Sequence, residues 1–533
     1  MSGYLRRLAT TGAAYTAASV LSKLIAVALL PVYTRYLSPG DYGAAEVLFA
    51  SVVAASIFIR FGAIEALLRF YYKTEEDPRA VVSTSFAALF WTATAGALIA
   101  LPFARPLSEA LLDEPATDLM RIAIGGLWVL TLFEFLLTIF RLEERARAYF
   151  VTTLANVLVT IGLTVALVVG ADEGARGLLL GSYAAGGAFV LGLIWVHRRR
   201  LSLLIDRALL RRLLRFGLPT MPAELTLYSL NFIDRIIIVR LVGLAEAGLY
   251  ALAVKFSQSV NVLVRGFQLA WPPLAYSIED DREAARFYAL VVTWFVAGAA
   301  FVVTGIWLLA RWIVRTLAAP EFFASYEAVG LITAALTLYA LSQVLIVILG
   351  RTGRTELSLP ATVAAMAVNI ALNLALVPDL GIVGAGIALL ASYTVLLGLM
   401  YGFTQRLFPV PYEWIRLARC VAVAAVLIGA GDLLLPTEGI EGLAGRVGLW
   451  VAFPVLLAAS GFLTSGERRA LAIVKQPKSM IKKLQLLLGG EGSEATRDPA
   501  GDRQVKAEDG GVGRRGTVPE AYEAELRDED SRN

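Results

Sequence analysis

The chain has little of the side-chain chemistry on which most enzymes and metal sites depend. It contains one histidine, His197, and one cysteine, Cys420, among 533 residues. A single histidine excludes a His-based metal site, and a single cysteine excludes a disulfide within the chain. Charged residues are also scarce, at 17% against 57% hydrophobic, and the mean hydropathy is +0.67. This composition excludes an ordinary soluble globular protein.

The chain instead contains many long apolar runs. Runs of about 20 residues, separated by charge clusters and by Pro or Gly breaks, are typical of membrane-spanning helices. They predict an all-α polytopic membrane protein with about 14 transmembrane helices. The predicted spans are 11–37, 42–70, 80–103, 119–140, 148–171, 177–197, 215–240, 244–276, 287–310, 325–349, 357–377, 381–404, 415–435 and 444–465.

The distribution of lysine and arginine predicts the orientation of the chain. With the N-terminus in the cytoplasm, inside segments carry 27 of these residues and outside loops about eight. The positive-inside rule therefore predicts cytoplasmic N- and C-termini. All outside loops are short, whereas an enzyme acting at the outer face usually needs a domain or a large loop there. We expect that the protein is not an enzyme and that nucleic acid is not among its partners.

Weak internal similarity predicts two related halves. At an offset of 205 residues, Gly43 meets Gly248 and Arg60 meets Arg265, and at about 210 residues Arg141 meets Arg351. Two nearby offsets that each join corresponding helices indicate a parallel repeat of six helices, with a substrate site between the halves.

The repeat and the charge clusters together predict the domain organisation. An arginine-rich segment with interspersed leucines, residues 198–214, is typical of an amphipathic helix on the cytoplasmic membrane surface. Residues 491–533 carry 12 acidic and 7 basic side chains and almost no large apolar ones, which predicts disorder. The predicted domains are an N-lobe (1–197), the linker (198–214), a C-lobe (215–404), spans 13 and 14 (405–465) and a cytoplasmic tail (466–533).

Charged residues inside the spans identify a candidate site. A charge at membrane depth costs roughly 2.5–3.5 kcal/mol on insertion scales, so such residues normally face water, a partner charge or a substrate. Lys23 and Arg60 lie inside the first two predicted spans. Arg60 and Arg265 occupy corresponding depths in the two halves, and the planar guanidinium group suits phosphate because it binds two oxygens at once.

Polar residues at helical spacing predict the lining of a central cavity. The predicted lining residues are Ser19, Tyr228, Asn231, Gln258, Asn261 and Gln268. Such stripes also fit a structural role, because Ser, Thr and Asn often bond neighbouring helices in membranes. In that structural role, Arg60 pairs with Glu65 or Glu46, and Lys255 pairs with an acid nearby. Glu134, Glu224 and Asp234 are candidate proton or sodium sites, or partners of arginines.

Several segments together carry a family resemblance: LLPVYTRYLSPGDYG and LLRFYY between residues 29 and 72, the stretch 216–256, GRTGRTE (350–356) and PDLGIVGAGIALLASY (378–393). They resemble the polysaccharide-repeat (O-antigen type, Wzx) flippases of the multidrug/oligosaccharidyl-lipid/polysaccharide exporter superfamily. The resemblance implies two six-helix lobes in a V, two extra C-terminal helices and a central cationic cavity. It also implies that Lys23, Arg60, Lys255 and Arg265 engage an anionic substrate.

The resemblance implies export of a lipid-linked oligosaccharide, carried on undecaprenyl pyrophosphate, from the inner to the outer leaflet of the bacterial inner membrane. Alternating access of the two lobes is the expected mechanism. No cofactor is expected beyond a coupling ion, H⁺ or Na⁺. Polysaccharide polymerases and glycosyltransferases are candidate partners. Three alternatives remain open: a lipid II flippase of the same fold, a multidrug cation antiporter, and a membrane polysaccharide polymerase or ligase.

Overall fold

The computed structural model describes residues 25, 27–72, 77–229, 232–464 and 467. The chain divides into two compact units, residues 1–462 and residues 463–533. In the second unit, the Glu467 carboxylate accepts hydrogen bonds from the backbone and side chain of Thr464, both at 2.8 Å. The predicted disorder of residues 491–533 concerns a segment outside the described residues.

Every regular element in the described part of the chain is helical, as predicted. The first half contains α1 (Leu30–Tyr36), α2 (Pro39–Arg60), α3 (Ala63–Phe70), α4 (Pro78–Ala100), α5 (Ala104–Leu112), α6 (Thr117–Leu142), α7 (Ala146–Val165) and α8 (Gly174–His197). The second half contains α9 (Arg207–Gly217), α10 (Met221–Ser229), α11 (Ile233–Val242), α12 (Leu244–Ser257), α13 (Val260–Tyr276), α14 (Asp281–Leu317), α15 (Tyr326–Arg351), α16 (Ser358–Leu407), α17 (Trp414–Leu434) and α18 (Gly439–Ala459).

Two groups of helices pack mainly within themselves. We call residues 30–197 the N-terminal bundle, in which α2, α4, α6, α7 and α8 pack on one another. We call residues 233–407 the C-terminal bundle, in which α11 to α16 pack on one another. The pair α17 and α18 packs against α14, and α10 lies between α2 and α16, that is, between the bundles.

Ten helical segments in the described part of the chain are long and apolar enough to cross a membrane. The predicted count of fourteen is not confirmed. Most of the first predicted span, 11–37, lies outside the described residues. Predicted spans 11 and 12 form one helix, α16, which is kinked at Gly381 (φ 53°, ψ −132°).

The seventh and eighth predicted spans are broken into shorter helices. The span 215–240 is divided between α9, α10 and α11, and the span 244–276 between α12 and α13. The polar stripes predicted on these spans assumed continuous helices. Gln258 therefore does not continue regularly into the face that carries Asn261, because a turn at Gln258–Ser259 separates α12 from α13.

A second break lies where one predicted span, 42–70, divides into α2 and α3. Phe61 and Gly62 both adopt left-handed backbone conformations, with φ of 48° and 67°. A Cβ atom on Gly62 would lie 2.1 Å from the carbonyl oxygen of Gly217 at the end of α9. Only glycine permits this approach, because any side chain would collide with the backbone of α9. The break places Arg60 at the end of α2.

The helix of the linker begins further along the chain than the positions of its leucines suggested. Asp206 caps α9 by accepting hydrogen bonds from the backbone N–H groups of Ala208 (2.9 Å) and Leu209 (3.1 Å). Leu209 and Leu213 are buried, and α9 packs on α3 and α4 of the N-terminal bundle. Leu203 and Leu204, which were expected in the helix, precede it and are exposed. An aspartate that caps a helix sets its start, because it satisfies free N–H groups of the first turn.

Candidate functional site between the bundles

Arg60 lies where the N-terminal bundle meets α10, the helix between the two bundles. Its Nη1 pairs with Glu134 of α6, and its Nη2 lies 3.1 Å from Glu224 Oε1 of α10. The Nε donates to the backbone oxygen of Ser56 at 3.3 Å. The Arg60 side chain is 12% exposed. The observed partners of Arg60 are Glu134 and Glu224. They differ from Glu65 and Glu46, the two acids considered from the sequence as structural partners.

Lys255 forms the second charged contact, and this one joins the bundles directly. Its ammonium group on α12 pairs with the Glu46 carboxylate on α2 and lies 5.1 Å from the centre of the Tyr42 ring. Arg235 of α11 is the other cation facing Glu46, at 3.8 Å between Nη1 and Oε2. Glu46 is the most buried of the three side chains, at 8% exposed. An acid so enclosed stays charged at low cost only beside cations.

The charges at this interface balance among the described residues. Arg60, Arg235 and Lys255 face Glu46, Glu134 and Glu224, three positive against three negative. The expected net positive cavity therefore depends on Lys23 and Arg265. Lys23 lies outside the described residues, and of Arg265 only the backbone position on α13 is described.

Asp234 lies apart from these pairs, inside the C-terminal bundle. Its carboxylate is 1% exposed and accepts hydrogen bonds from Tyr250 Oη (2.8 Å) and Asn373 Nδ2 (2.9 Å). Asn373 also bonds Asn369, one turn earlier on α16. The Asn373 Oδ1 atom has no hydrogen-bond partner among the described residues. A buried carboxylate held by neutral donors, next to a free amide oxygen, is suited to a proton or to a small hard cation.

The remaining predicted lining residues are distributed unevenly. The Tyr228 hydroxyl donates to the backbone oxygen of Ala50 at 3.1 Å, joining α10 to α2. Gln258 lies in the turn before α13 and Gln268 lies in the middle of α13, and both side chains are partly exposed. Ser19 and Asn231 lie outside the described residues, and the side chain of Asn261 is not described.

Two residues at this interface were absent from the predicted site, Glu46 and Arg235. Glu46 was considered from the sequence only as a structural partner of Arg60. The signal was present, because a carboxylate inside an apolar run is as costly as an arginine there. The sequence did not show which residue pairs with Glu46, because Lys255 lies 209 residues away.

Comparisons with known proteins agree with this architecture. Residues 9–279 match the family described as polysaccharide biosynthesis protein. The lipid II flippase MurJ in an inward closed conformation is similar in structure, with a TM-score of 0.64 and 13% identity over 84% of this chain and 99% of that one. An inward-facing multidrug resistance MATE transporter of the MOP superfamily has a TM-score of 0.61 and 16% identity, covering 75% of this chain and 96% of that one.

The outward-facing conformation of a multidrug resistance MATE transporter is also similar, with a TM-score of 0.55 and 15% identity over 76% of this chain and 95% of that one. No curated protein sequence matches the chain significantly. At these identities the structural likeness shows the fold alone, whereas the sequence match covers half of the chain. The chain therefore belongs to the polysaccharide biosynthesis protein family, and it has the fold of the MOP exporter superfamily.

Proposed function

We propose that the protein is a flippase that moves undecaprenyl-pyrophosphate-linked oligosaccharide repeat units from the inner to the outer leaflet of the bacterial inner membrane. The bundles would rock about a site between them, so that it opens to each side in turn. The sugar-pyrophosphate head would enter the polar space between the bundles while the lipid tail stays in the bilayer. No covalent bond is made or broken in this cycle.

The observation that carries the proposal is the position of the cations. Lys255 and Arg235 of the C-terminal bundle face Glu46 of the N-terminal bundle, and Arg60 of the N-terminal bundle faces Glu224 of α10, the helix between the bundles. A diphosphate needs several cationic donors to enter a membrane at low cost. Membership of a polysaccharide biosynthesis family favours a saccharide-bearing substrate.

The contacts between the bundles indicate which side is closed. Arg240 of α11 bonds Asp113 after α5 at 2.6 Å, and Thr34 Oγ1 of α1 accepts from the Ala319 backbone N–H at 3.1 Å. Tyr42 packs edge-on against Phe322, with ring centres 5.8 Å apart. With cytoplasmic termini, all these contacts lie towards the outer face. In the proposed cycle this conformation is therefore closed to the outside.

Asp234 is the proposed ion-coupling residue. Its carboxylate is enclosed by Tyr250 and Asn373 inside one bundle, and it takes no part in the charge pairs between the bundles. Binding of H⁺ or Na⁺ there would change the charge in the first turn of α11, the helix that also carries Arg235 and Arg240. Glu134 and Glu224 are proposed to act chiefly as partners of Arg60.

Complementation of a strain without its own polysaccharide flippase tests the function. Wild type and the matched control Arg121→Ala, whose side chain is exposed on α6, should restore surface polymer. Arg60→Ala, Arg265→Ala and the double variant should reach normal membrane levels and restore little. Variants that work as well as wild type would show that these arginines are structural and would overturn the proposed site.

Multidrug antiport is a second candidate because three acids lie at the interface beside the three cations. The same plasmids placed in an efflux-deficient strain separate the two functions. Raised resistance to cationic drugs without polymer rescue would favour the antiporter. Rescue of a strain depleted of its lipid II flippase would instead identify the peptidoglycan precursor as the substrate.

A further inference from the structure

We propose that Glu46 is a counter-ion lock: it holds the bundles together by occupying the cations that the substrate diphosphate takes when it binds. The inference rests on the proposed function and names the residue that couples substrate binding to opening. Glu46 is the carboxylate that reaches from the N-terminal bundle to two cations of the C-terminal bundle, Lys255 and Arg235.

The lock lies where the two bundles come closest. Gly43 of α2 and Gly248 of α12 are in backbone contact, since a Cβ on Gly43 would lie 2.8 Å from the Gly248 nitrogen. Glu46 is one turn along α2 from this contact, and Lys255 is two turns along α12. A change in the pairing of Glu46 therefore acts directly on the helix crossing that closes this end of the molecule.

Arg235 makes the exchange feasible because it is only partly engaged. Its Nη1 is 3.8 Å from Glu46, beyond hydrogen-bonding distance, and its Nε has no hydrogen-bond partner among the described residues. A diphosphate carries more negative charge and more acceptor oxygens than one carboxylate, and guanidinium groups bind phosphate in a forked geometry. An incoming diphosphate thus bonds Arg235 and competes with Glu46 for Lys255.

Exchange of the counter-ion obliges the interface to open. Once Lys255 and Arg235 bind phosphate, Glu46 remains as a buried carboxylate without a cation. A buried ion that has lost its partner is strongly destabilising. The carboxylate regains solvation when α2 and α12 separate and water enters between them. By linkage, the anion that breaks the pair binds more tightly to the open arrangement than to the closed one.

A cysteine reporter measures this separation. In a Cys420→Ala background, Thr34→Cys places a thiol of similar size at a position that is 2% exposed and covered by Ala319 of the opposite side. The rate of maleimide labelling of the purified full-length chain then reports opening of this end. Glu46→Gln should speed labelling on the order of tenfold, as expected for a shift of one decade in the ratio of open to closed molecules.

The matched control is Glu173→Gln, which removes the same charge from a pair with Arg176 within the N-terminal bundle, 2.6 Å apart. It should label as slowly as the parent. Lys255→Gln tests the lock from the other bundle if Glu46→Gln folds poorly, and it should also label faster. Equal labelling rates in the parent, Glu46→Gln and Lys255→Gln proteins would overturn the lock.

The second arm uses undecaprenyl pyrophosphate as the probe and uncharged undecaprenol as its control. The diphosphate should speed labelling of the parent reporter, with no further acceleration in Glu46→Gln, and undecaprenol should have no effect. If the diphosphate binds but labelling stays slow, the counter-ion exchange is wrong and the flippase proposal stands. If it neither binds nor speeds labelling while Glu46→Gln labels fast, the exchange and the proposed substrate both fail.

Discussion

Gly43 and Gly248, which stand at equivalent positions of the weak internal repeat, lie against each other in the folded protein. A Cβ on Gly43 would approach the Leu244 carbonyl oxygen to 2.1 Å, and one on Gly248 would approach the Pro39 carbonyl oxygen to 2.0 Å. Two equivalent positions meet in this way when related halves are arranged about an approximate two-fold axis. The contact marks the place where that axis passes between α2 and α12.

Alanine at either glycine should disturb this crossing. Gly43→Ala or Gly248→Ala forces the helix backbones apart, because overpacking at a rigid contact costs typically 1–3 kcal/mol. We expect faster labelling of the Thr34→Cys reporter and a lower thermal unfolding midpoint. Gly125→Ala is the control, since nothing lies within 4 Å of an added Cβ there. Wild-type behaviour of both glycine variants would show that the backbone contact does not hold this end closed.

Arg240 should contribute to closure through the end of α5. Its guanidinium donates to the carbonyl oxygens of Glu109 (3.0 Å) and Ala110 (2.5 Å) and pairs with Asp113 at 2.6 Å. Since the ion pair is exposed, Asp113→Asn should change the free energy of unfolding by no more than about 1 kcal/mol.

Arg240→Gln should have the larger effect, because it also removes bonds to two terminal carbonyls of a helix. Reporter labelling and thermal unfolding of the two variants, side by side, measure the difference. Equal effects of the two substitutions would assign the whole contribution to the ion pair.

Asp234→Asn should uncouple transport from its driving ion. The substitution keeps the shape of the side chain and one accepting oxygen for Tyr250 or Asn373, but it removes the charge that would bind H⁺ or Na⁺. In vesicles, wild-type transport should rise with an imposed proton or sodium gradient, and Asp234→Asn transport should not respond. Asp118→Asn, an exposed position on α6, should respond like wild type. A preserved gradient response in Asp234→Asn would place the coupling site elsewhere.

Arg351 should stabilise the turn between α13 and α14 without a role in transport. Its guanidinium donates to the carbonyl oxygens of Ile278 (2.7 Å) and Glu279 (3.0 Å) and to Asp281 (2.7 Å). Removing it leaves the partly buried carbonyl group of Ile278 unpaired, at a cost of about 1–3 kcal/mol.

Thermal unfolding of Arg351→Ala should therefore show a clear loss of stability. Arg354→Ala is the matched control, since its exposed pair with Glu356 is worth about 0–1 kcal/mol. A stable Arg351→Ala protein that fails to transport would contradict the structural role.

Local patterns predicted much of the fold. Hydropathy predicted an all-helical membrane protein, and ten helical segments among the described residues are long and apolar enough to cross a membrane. Prediction of spans from hydropathy windows failed where the backbone deviates from a continuous helix. Phe61–Gly62 and Gln258–Ser259 interrupt runs that hydropathy treats as single spans, because an apolar window is insensitive to one or two residues outside helical geometry.

The candidate site was predictable only in part. Arg60, Lys255, Glu134 and Glu224 were singled out because ionisable residues inside apolar runs are costly wherever they lie. Their mutual pairing was not predictable, and Glu46 and Arg235 were missed as members of the site. Glu46 is a single carboxylate in a run of small and apolar residues, and its importance depends on what faces it.

The sequence by itself determined the class of this protein: a basic chain with many membrane-spanning helices and with charged residues inside its apolar runs. Those properties are sums over neighbouring residues, and they hold however the helices are arranged. Only the tertiary structure decided that Lys255 faces Glu46, that Arg60 faces Glu134 and Glu224, and that Asp234 is enclosed apart from them. Those partners lie tens to hundreds of residues apart, and the position at which two helices cross decides which charges meet.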